Sequence, residues 1–258
     1  MFFIFTEYFK FLRRSTNQHG VHSPFVYDFV TKCLYSKVNS VDKVFFRKFK
    51  KRLLESKEEI VVKDLGAGSR VFKGNMRSVS QIVKVASIKQ KYGLLLMRLI
   101  PYLKISSSLE IGTSLGVASS CMGFADSTAK VITLEGCENT AHVAKEQFDF
   151  FNLKNIEVVV GEFDTTLPEN TNNNSFDLIF FDGNHTKEAT LKYFRESLAS
   201  KHNDSVFVFD DIHWNSEMFE AWQEIKKHKE VTVTIDTFQW GIVFFREEQK
   251  KEHFTIRI

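Results

Sequence analysis

Apolar runs alternate with amphipathic stretches at a regular spacing from residue 107 onward. Helical periodicity fills the intervals, as in Thr140–Phe151 and Lys187–Ser200. The pattern predicts five parallel strands, at Ser107–Ile111, Lys130–Glu135, Ile156–Val160, Phe176–Asp182 and Ser205–Asp210. The continuously apolar runs Leu178–Phe181 and Val206–Phe209 within the last two suit central strands buried on both faces. A strand–helix–strand series of this kind predicts an α/β fold, with a parallel sheet covered by helices on both faces.

The C-terminal part of the chain departs from this alternation. After a helix predicted at Glu217–His228, the apolar runs Val231–Asp236 and Gly241–Arg246 are joined only by Thr237–Trp240. Two strands with so short a connection must be antiparallel, because a parallel pair needs a crossover of about a dozen residues or more. The sheet is therefore predicted to end in a hairpin, and His253–Ile258 is predicted as a short edge strand.

Residues 1–103 are predicted to be mostly helical, with a basic helix at Val41–Ser56. The opening segment is amphipathic, carries Glu7 and Lys10, and is too short to span a bilayer. It lacks the basic start and the cleavage site of a secretory signal. We expect it to dock on the protein's own core, the alternative being an anchor at a membrane surface. We divide the chain into an N-terminal helical extension or lid, residues 1–90, and an α/β domain, residues 91–258.

The composition is ordinary and gives no positive signal for a nucleic-acid partner, a metal site or a redox motif. A hydrophobic content of 43% and a charged content of 26% are ordinary for a soluble globular protein. The net charge of +3 is too small to argue for a nucleic-acid partner. Cys33, Cys121 and Cys137 have neither metal-site nor redox-motif spacing, which favours buried thiols in a reducing compartment. The chain is predicted to be cytoplasmic, without a membrane span.

A glycine-rich turn after the first predicted sheet strand carries the clearest chemical signal. Glu110, Gly112 and Gly116 form the pattern E-x-G-x-x-x-G, and the next strand ends in Glu135. A carboxylate at a strand end can accept hydrogen bonds from both hydroxyls of a ribose. Dinucleotide sites instead use G-x-G-x-x-G to hold phosphates. An acid before the first glycine disfavours phosphates and suits a cofactor with an amino group and a sulfonium.

This turn resembles motif I of the class I S-adenosylmethionine-dependent methyltransferases, and the predicted terminal hairpin is a feature of their sheet. The resemblance spans about residues 91–246. It implies a Rossmann-like sheet of seven strands in the order 3-2-1-4-5-7-6, with strand 7 antiparallel, and S-adenosylmethionine as cofactor. The cofactor-binding residues it implies are Glu110, Gly112, Thr113, Ser114, Gly116, Glu135, Gly136, Glu162, Phe163 and Asp182. Glu135 would hold the ribose, and Glu162 with Phe163 would border the adenine.

A second glycine loop, Asp64–Arg70, imitates the same motif. No strand ending in an acid follows it, so we assign the cofactor to the later turn. Arg70, Lys73 and Arg77 form a basic cluster near this loop. Such a cluster either meets an anionic substrate or is a solvated loop.

Carboxylates also follow the fourth and fifth predicted strands, at Asp182, Asp210 and Asp211. The pattern is similar to that of catechol-type O-methyltransferases. The resemblance implies that the three acids bind Mg²⁺ or another divalent cation, which would lower the pKa of an acceptor hydroxyl. Asp211 departs from the asparagine of many relatives. Alternatively, Asp182 contacts methionine or substrate, and an acid of the later pair caps the following helix.

His185 follows Asp182 by three residues, where the resemblance places a lysine general base. We therefore predict Asp182 and His185 as the catalytic pair, with His185 as the base. The alternative is a histidine at a helix N-terminus bonded to backbone. His213 and Trp214 either line the acceptor pocket or pack in the core.

The sequence thus predicts a methyltransferase that acts on a hydroxyl of a small molecule, with a divalent metal as a further option. A homodimer through the N-terminal helices is a further expectation. Three alternatives stay open: a metal-independent N-methyltransferase acting on a macromolecule, an NAD-binding oxidoreductase, and a non-catalytic binding protein on the same fold.

Overall fold

A computed structural model of the chain describes residues 2–63 and 74–258. The predicted loop Asp64–Arg70, together with Lys73, lies outside the described residues. Within the described part, α-helices occupy Phe2–Arg14 (α1), Pro24–Phe29 (α2), Ser40–Glu55 (α3), Val79–Ala86 (α4), Gln90–Leu103 (α5), Val117–Ala125 (α6), Glu138–Phe150 (α7), Phe163–Thr171 (α8), Lys187–Ser197 (α9) and Ser216–Lys227 (α10). Strands occupy Glu59–Val61 (β1), Met76–Ser78 (β2), Ser107–Ile111 (β3), Lys130–Glu135 (β4), Ile156–Val160 (β5), Leu178–Phe181 (β6), Val206–Phe209 (β7), Val233–Asp236 (β8), Gly241–Phe244 (β9) and Glu252–Thr255 (β10).

Residues 36–167 form one of two compact units. Its strands β3, β4 and β5 pair in parallel, with Ile111 opposite Leu134 and Leu134 opposite Val159. Ser108–Ile111 of β3 and Val131–Leu134 of β4 are buried, and they include the polar side chains of Ser108, Glu110 and Thr133. Helix α6 is buried along most of its length, and this explains its composition of small and apolar residues.

Residues 1–35 and 168–258 form the other unit. Here β6 and β7 are parallel, β9 runs antiparallel to both β7 and β8, and β10 pairs in parallel with β8. The core of this unit includes the fully buried rings of Trp222 and Trp240.

The strand order confirms the predicted sheet. Counted from β3 as strand 1, the eight strands run 3-2-1-4-5-7-6-8, with strand 7 antiparallel. The eighth strand is β10. The sequence predicted it as a short edge strand but did not predict which strand it pairs with. The fold is therefore a Rossmann-like methyltransferase sheet with one strand added at its edge.

Element bounds agree closely with the sequence, with one omission. The strands β3, β4 and β5 have the predicted ends, and β6 and β7 are shorter than predicted by a few residues. The antiparallel hairpin of β1 and β2 was not predicted. Each of its strands has three residues, which is too few to show an alternation of apolar and polar positions.

Helix α1 docks on its own unit, as predicted. The side chains of Glu7 and Phe11 are each 3% exposed, and the ring centroid of Phe11 lies 5.4 Å from that of Phe238. Among the described residues, no helix combines the length and the apolar content needed to cross a membrane.

Candidate functional site

The turn after β3 has an unusual backbone. Gly112 and Gly116 have φ values of +104° and +76°, and Ser114 between them has φ of +49°. The N–H groups of Gly112 and Thr113 both donate to the carbonyl of Leu134, at 3.0 Å, so the turn is attached to β4. A positive φ at a serine costs about 1 kcal/mol or more and persists only where surrounding contacts impose it. Such strain is concentrated at functional sites.

Glu135 at the end of β4 is held from both sides by this backbone. Its Oε2 accepts a hydrogen bond from the N–H of Ser114 at 2.8 Å, and its Oε1 accepts one from the N–H of Cys137 at 2.9 Å. Burial raises the pKa of Glu135, while hydrogen bonds from the backbone of Cys137, Ser114 and Gly136 lower it. Ser114 and Cys137 each bond a different oxygen, and a carboxylate has about four acceptor positions in all. The carboxylate is therefore oriented and keeps acceptor capacity for hydroxyl groups.

Glu110 lies beneath the turn, with none of its surface exposed. Its Oε2 accepts hydrogen bonds from the hydroxyls of Ser119 in α6 and Thr133 in β4. Its Oε1 has no hydrogen-bond partner among the described residues. Burial raises the pKa of Glu110 to about 8. The predicted contact of Glu110 with the cofactor stays a prediction, and in this structure its partners are protein hydroxyls.

The proton on Glu110 gives folding a pH dependence. The native carboxyl keeps it up to about pH 8, whereas its ordinary pKa is 4.5. Between these values the native state binds more protons than the unfolded chain, so the free energy of unfolding falls as pH rises, by at most about 1.4 kcal/mol per pH unit. Glu110→Gln should flatten this slope in urea unfolding measured across the range. The surface variant Glu157→Gln should keep it, and a slope unchanged in Glu110→Gln would contradict the assignment.

Gly116 packs against the C-terminal part of α7. A Cβ at this position would lie 2.5 Å from the ring of Phe148, and its φ of +76° strains any other residue. We expect Gly116→Ala to lower the free energy of unfolding by about 1–3 kcal/mol. Gly74→Ala is the matched control, because no atom of the described residues lies within 4 Å of a Cβ added at Gly74. Urea denaturation of both variants tests this, and equal midpoints would refute it.

The segment after β5 contributes Glu162 and Phe163. Glu162 forms an exposed ion pair with Lys63, with 3.5 Å between Nζ and Oε1. The backbone N–H of Lys63 also donates to Sγ of Cys137 at 3.3 Å, which places Lys63 beside the end of β4. Lys63 was missed in the sequence because it precedes the glycine loop that was set aside. An exposed ion pair contributes little to the free energy of unfolding. What bears on function is its position beside the predicted adenine site.

The predicted catalytic pair lies in the other unit, after β6. The final residues Phe181 of β6 and Phe209 of β7 are paired, and the N–H of Asp210 donates to the carbonyl of Phe181 at 3.0 Å. Asp182 and Asp210 therefore follow neighbouring strand ends, as predicted. Nε2 of His185 lies 3.6 Å from Oδ1 of Asp182, and both side chains remain partly exposed. A histidine beside a carboxylate at an open strand end is suited to accepting a proton.

Two further observations mark this strand edge. Asn184 and Asp211 have φ values of +48° and +56°, so both turns carry strained backbone. The ring of Trp214 lies 5.8 Å from that of His185. Trp214 is therefore brought to the predicted catalytic pair.

Gln239 joins the two acids after β7. Its Nε2 lies 2.8 Å from Oδ1 of Asp210 and also donates to Oδ1 of Asp211. Burial and the neighbouring Asp211 raise the pKa of Asp210, while the hydrogen bond from Gln239 and the charge of His185 lower it. Gln239 was missed because the sequence shows it only as part of a hairpin connection.

The described residues contain no group of three or more His, Cys, Asp or Glu side chains arranged to hold a metal ion. The expected ligand set Asp182, Asp210 and Asp211 does not form such a group. The side-chain amide of Gln239 donates hydrogen bonds to Oδ1 of Asp210 and to Oδ1 of Asp211, so one oxygen of each acid already has a donor. The donor set in this structure therefore does not fit a divalent cation.

His213 is buried, with 2% of its surface exposed. Its Nε2 lies 2.9 Å from Oδ2 of Asp236, and its ring stacks on Phe238 with 4.8 Å between centroids. Its Nδ1 lies 4.0 Å from Oε2 of Glu7 in α1. Of the two roles open for His213, packing is the one that this geometry favours. It ties the turn after β7 to α1 and to the end of β8.

Comparisons with known proteins agree with the fold described above. Residues 109–212 match a family model described as a methyltransferase domain. An O-methyltransferase from Bacillus cereus, solved with S-adenosylhomocysteine, is 21% identical, with a TM-score of 0.53 over 62% of this chain and 83% of that one. The O-methyltransferase TomG from Streptomyces achromogenes, involved in tomaymycin synthesis and solved with S-adenosylmethionine, is 19% identical, with a TM-score of 0.56 over 62% and 82%.

A third similar structure covers more of the chain. A methyltransferase from Podospora anserina, bound to S-adenosylhomocysteine, is 13% identical, with a TM-score of 0.60 over 88% of this chain and 98% of that one. At such identities the likeness of structures shows the fold. A search of curated proteins found no significant match in sequence.

Proposed function

We propose that the protein transfers a methyl group from S-adenosylmethionine to a hydroxyl oxygen of a small molecule. Residues 109–212 match a family model described as a methyltransferase domain, which supports this proposal. The single observation that carries the cofactor half of this proposal is the orientation of Glu135. Its two oxygens are aimed by the N–H groups of Ser114 and Cys137 and keep acceptor positions for the two ribose hydroxyls.

The other residues of the turn fit the same cofactor. Gly112 and Ser114 curve the backbone where the methionine part would lie, and Glu162 with Phe163 would border the adenine. Bound S-adenosylmethionine supplies a methyl group on a positively charged sulfur. The protein's part is to hold this methyl group in line with the acceptor and to exclude water.

The acceptor half rests on Asp182 and His185. His185 would take the hydroxyl proton, and the Asp182 carboxylate, 3.6 Å from its Nε2, would stabilise the imidazolium so formed. Trp214 would supply an apolar wall beside the acceptor. No step passes through a metal, because the acids after β6 and β7 do not form a ligand group here.

Oxygen is preferred over nitrogen as the acceptor atom because two similar structures are O-methyltransferases by name. One of them is involved in tomaymycin synthesis, which supports a small molecule as the acceptor here. The cytoplasmic location expected from the cysteines belongs to this proposal as well.

Calorimetric titration tests the cofactor. We expect S-adenosylmethionine and S-adenosylhomocysteine to bind to the folded protein and NAD(H) not to bind. A preference for NAD(H) would overturn the proposal in favour of an oxidoreductase. Binding of S-adenosylhomocysteine without turnover of any acceptor would instead favour a non-catalytic protein.

Turnover is followed as S-adenosylhomocysteine release with a panel of hydroxylated and aminated small molecules and with a protein extract. We expect hydroxylated compounds to be methylated, and activity to persist in EDTA. Activity lost in EDTA and restored by Mg²⁺ would show that the acids after β6 and β7 rearrange to bind a cation. Methylation confined to macromolecular nitrogen would show that the acceptor class is wrong.

A further inference from the structure

The outward face of α1 carries aromatic side chains that are largely exposed. Phe5 is 59% exposed and Phe9 is 65% exposed, and Tyr8 between them is 44% exposed. Residues spaced by three and four positions lie on one face of a helix, so the three rings form a continuous patch. Single exposed apolar residues are ordinary, but a contiguous aromatic patch marks a contact surface. We call this patch the α1 face.

The orientation of the α1 face is imposed by the opposite side of the helix. Glu7 and Phe11 are each 3% exposed, and Nζ of Lys10 lies 2.7 Å from Oε1 of Glu7. Phe11 and Tyr8 both contact the ring of Phe238, with centroids 5.4 Å and 4.9 Å away. Helix α1 cannot turn Phe5 and Phe9 inward without exposing this buried side.

The exposed charged residues of α1 itself are all basic. The exposed charged residues of the helix are Lys10, Arg13 and Arg14. Glu7, the only acid in the helix, is buried. At the surface of an anionic bilayer, negatively charged headgroups lie above apolar acyl chains. An aromatic patch bordered by cations complements such a surface. A second copy would place the same cations opposite one another in a two-fold contact, which disfavours self-association through this face.

We propose that α1 binds the surface of membranes containing anionic lipids. Phe5 and Phe9 enter the headgroup–acyl boundary, and Arg13 and Arg14 contact lipid phosphates. The helix has 13 residues. It is therefore about 20 Å long, which is shorter than a hydrocarbon core of about 30 Å. It would therefore lie in the plane of the interface, with its buried side on its own unit, as predicted, and the α1 face on the membrane.

Cosedimentation of the full chain with vesicles tests this proposal. The probes are vesicles of phosphatidylcholine alone and of an equal mixture with phosphatidylglycerol. We expect binding to the mixed vesicles only, weakened by high salt. The double variant Phe5→Ser with Phe9→Ser should lose about tenfold or more of this binding. Phe150→Ser is the matched control, since Phe150 on α7 is also exposed, at 62%, and its replacement should not change vesicle binding.

A charge variant provides the second measurement. Arg13→Gln with Arg14→Gln keeps the aromatic rings and should reduce binding to the anionic vesicles. Circular dichroism and titration with S-adenosylhomocysteine report whether each variant is folded, and they separate this proposal from the enzymatic one.

Three results would overturn the proposal. The wild-type protein could ignore both kinds of vesicle, or the serine double variant could bind as well as the wild type. Sedimentation velocity could also show a dimer that this double variant dissociates, without any vesicle binding, and the α1 face would then belong to a second copy of the chain.

Discussion

Glu135→Ala is expected to weaken binding of S-adenosylhomocysteine about 100-fold or more. Hydrogen bonds to a charged carboxylate contribute about 1.5–3 kcal/mol each, and the ribose would lose two of them. The variant also leaves the N–H groups of Ser114 and Cys137 without their acceptor, so the turn after β3 loses the contact that orients it. Calorimetric titration measures the loss.

Glu157→Ala is the control for this experiment. Glu157 lies on β5 in the same unit and forms an exposed ion pair with Lys130. Its removal should leave the cofactor affinity unchanged. If Glu135→Ala binds S-adenosylhomocysteine as tightly as the wild type, the cofactor does not use this carboxylate, and the central assignment of the site is lost.

His185→Gln is expected to lower kcat about 100-fold to 10,000-fold, because general base catalysis typically supplies that factor. Glutamine retains much of the side chain's size and its polarity but cannot hold the proton. The affinity for S-adenosylhomocysteine should not change, since His185 lies outside the turn that carries Glu135. Steady-state rates with a methylated acceptor, together with cofactor titration, separate these two effects.

The chain offers a matched control for His185. His202 also pairs with a carboxylate, with 2.9 Å between Nε2 and Oδ1 of Asp177, but it lies at the N-terminal ends of β6 and β7. His202→Gln should leave kcat near the wild-type value. Equal losses in the two variants would indicate that histidine–aspartate pairs stabilise this unit, and a fully active His185→Gln would remove His185 from the mechanism.

Prediction from sequence succeeded where the signal was local. The segments that became β3, β4 and β5 were predicted with the right ends because strands and helices alternate there at regular intervals along the chain. The short connection Thr237–Trp240 dictated an antiparallel pair, and β8 and β9 do pair in that direction. The E-x-G-x-x-x-G pattern located the strained turn, and both of its glycines have positive φ values.

Prediction failed where function depends on contacts between distant positions. Gln239 gave no signal, because its link to Asp210 and Asp211 joins residues almost thirty positions apart, with separations of 29 and 28. The partners of Glu110 lie 9 and 23 positions away, so its burial and its raised pKa were invisible in the motif. Lys63 reaches Cys137 across 74 positions.

The amino-acid sequence by itself determined the order of strands and helices, the acids at the strand ends and the glycine turn, because each follows from hydrophobic periodicity or local backbone geometry. Only the tertiary structure decided which carboxylates are open to a ligand and which are enclosed. Glu135 keeps acceptor positions at the surface of the turn, Glu110 is sealed beneath it, and Asp210 shares an amide with Asp211. Solvation and hydrogen-bond partners set the charge of a carboxylate, and both arise only when distant parts of the chain pack together.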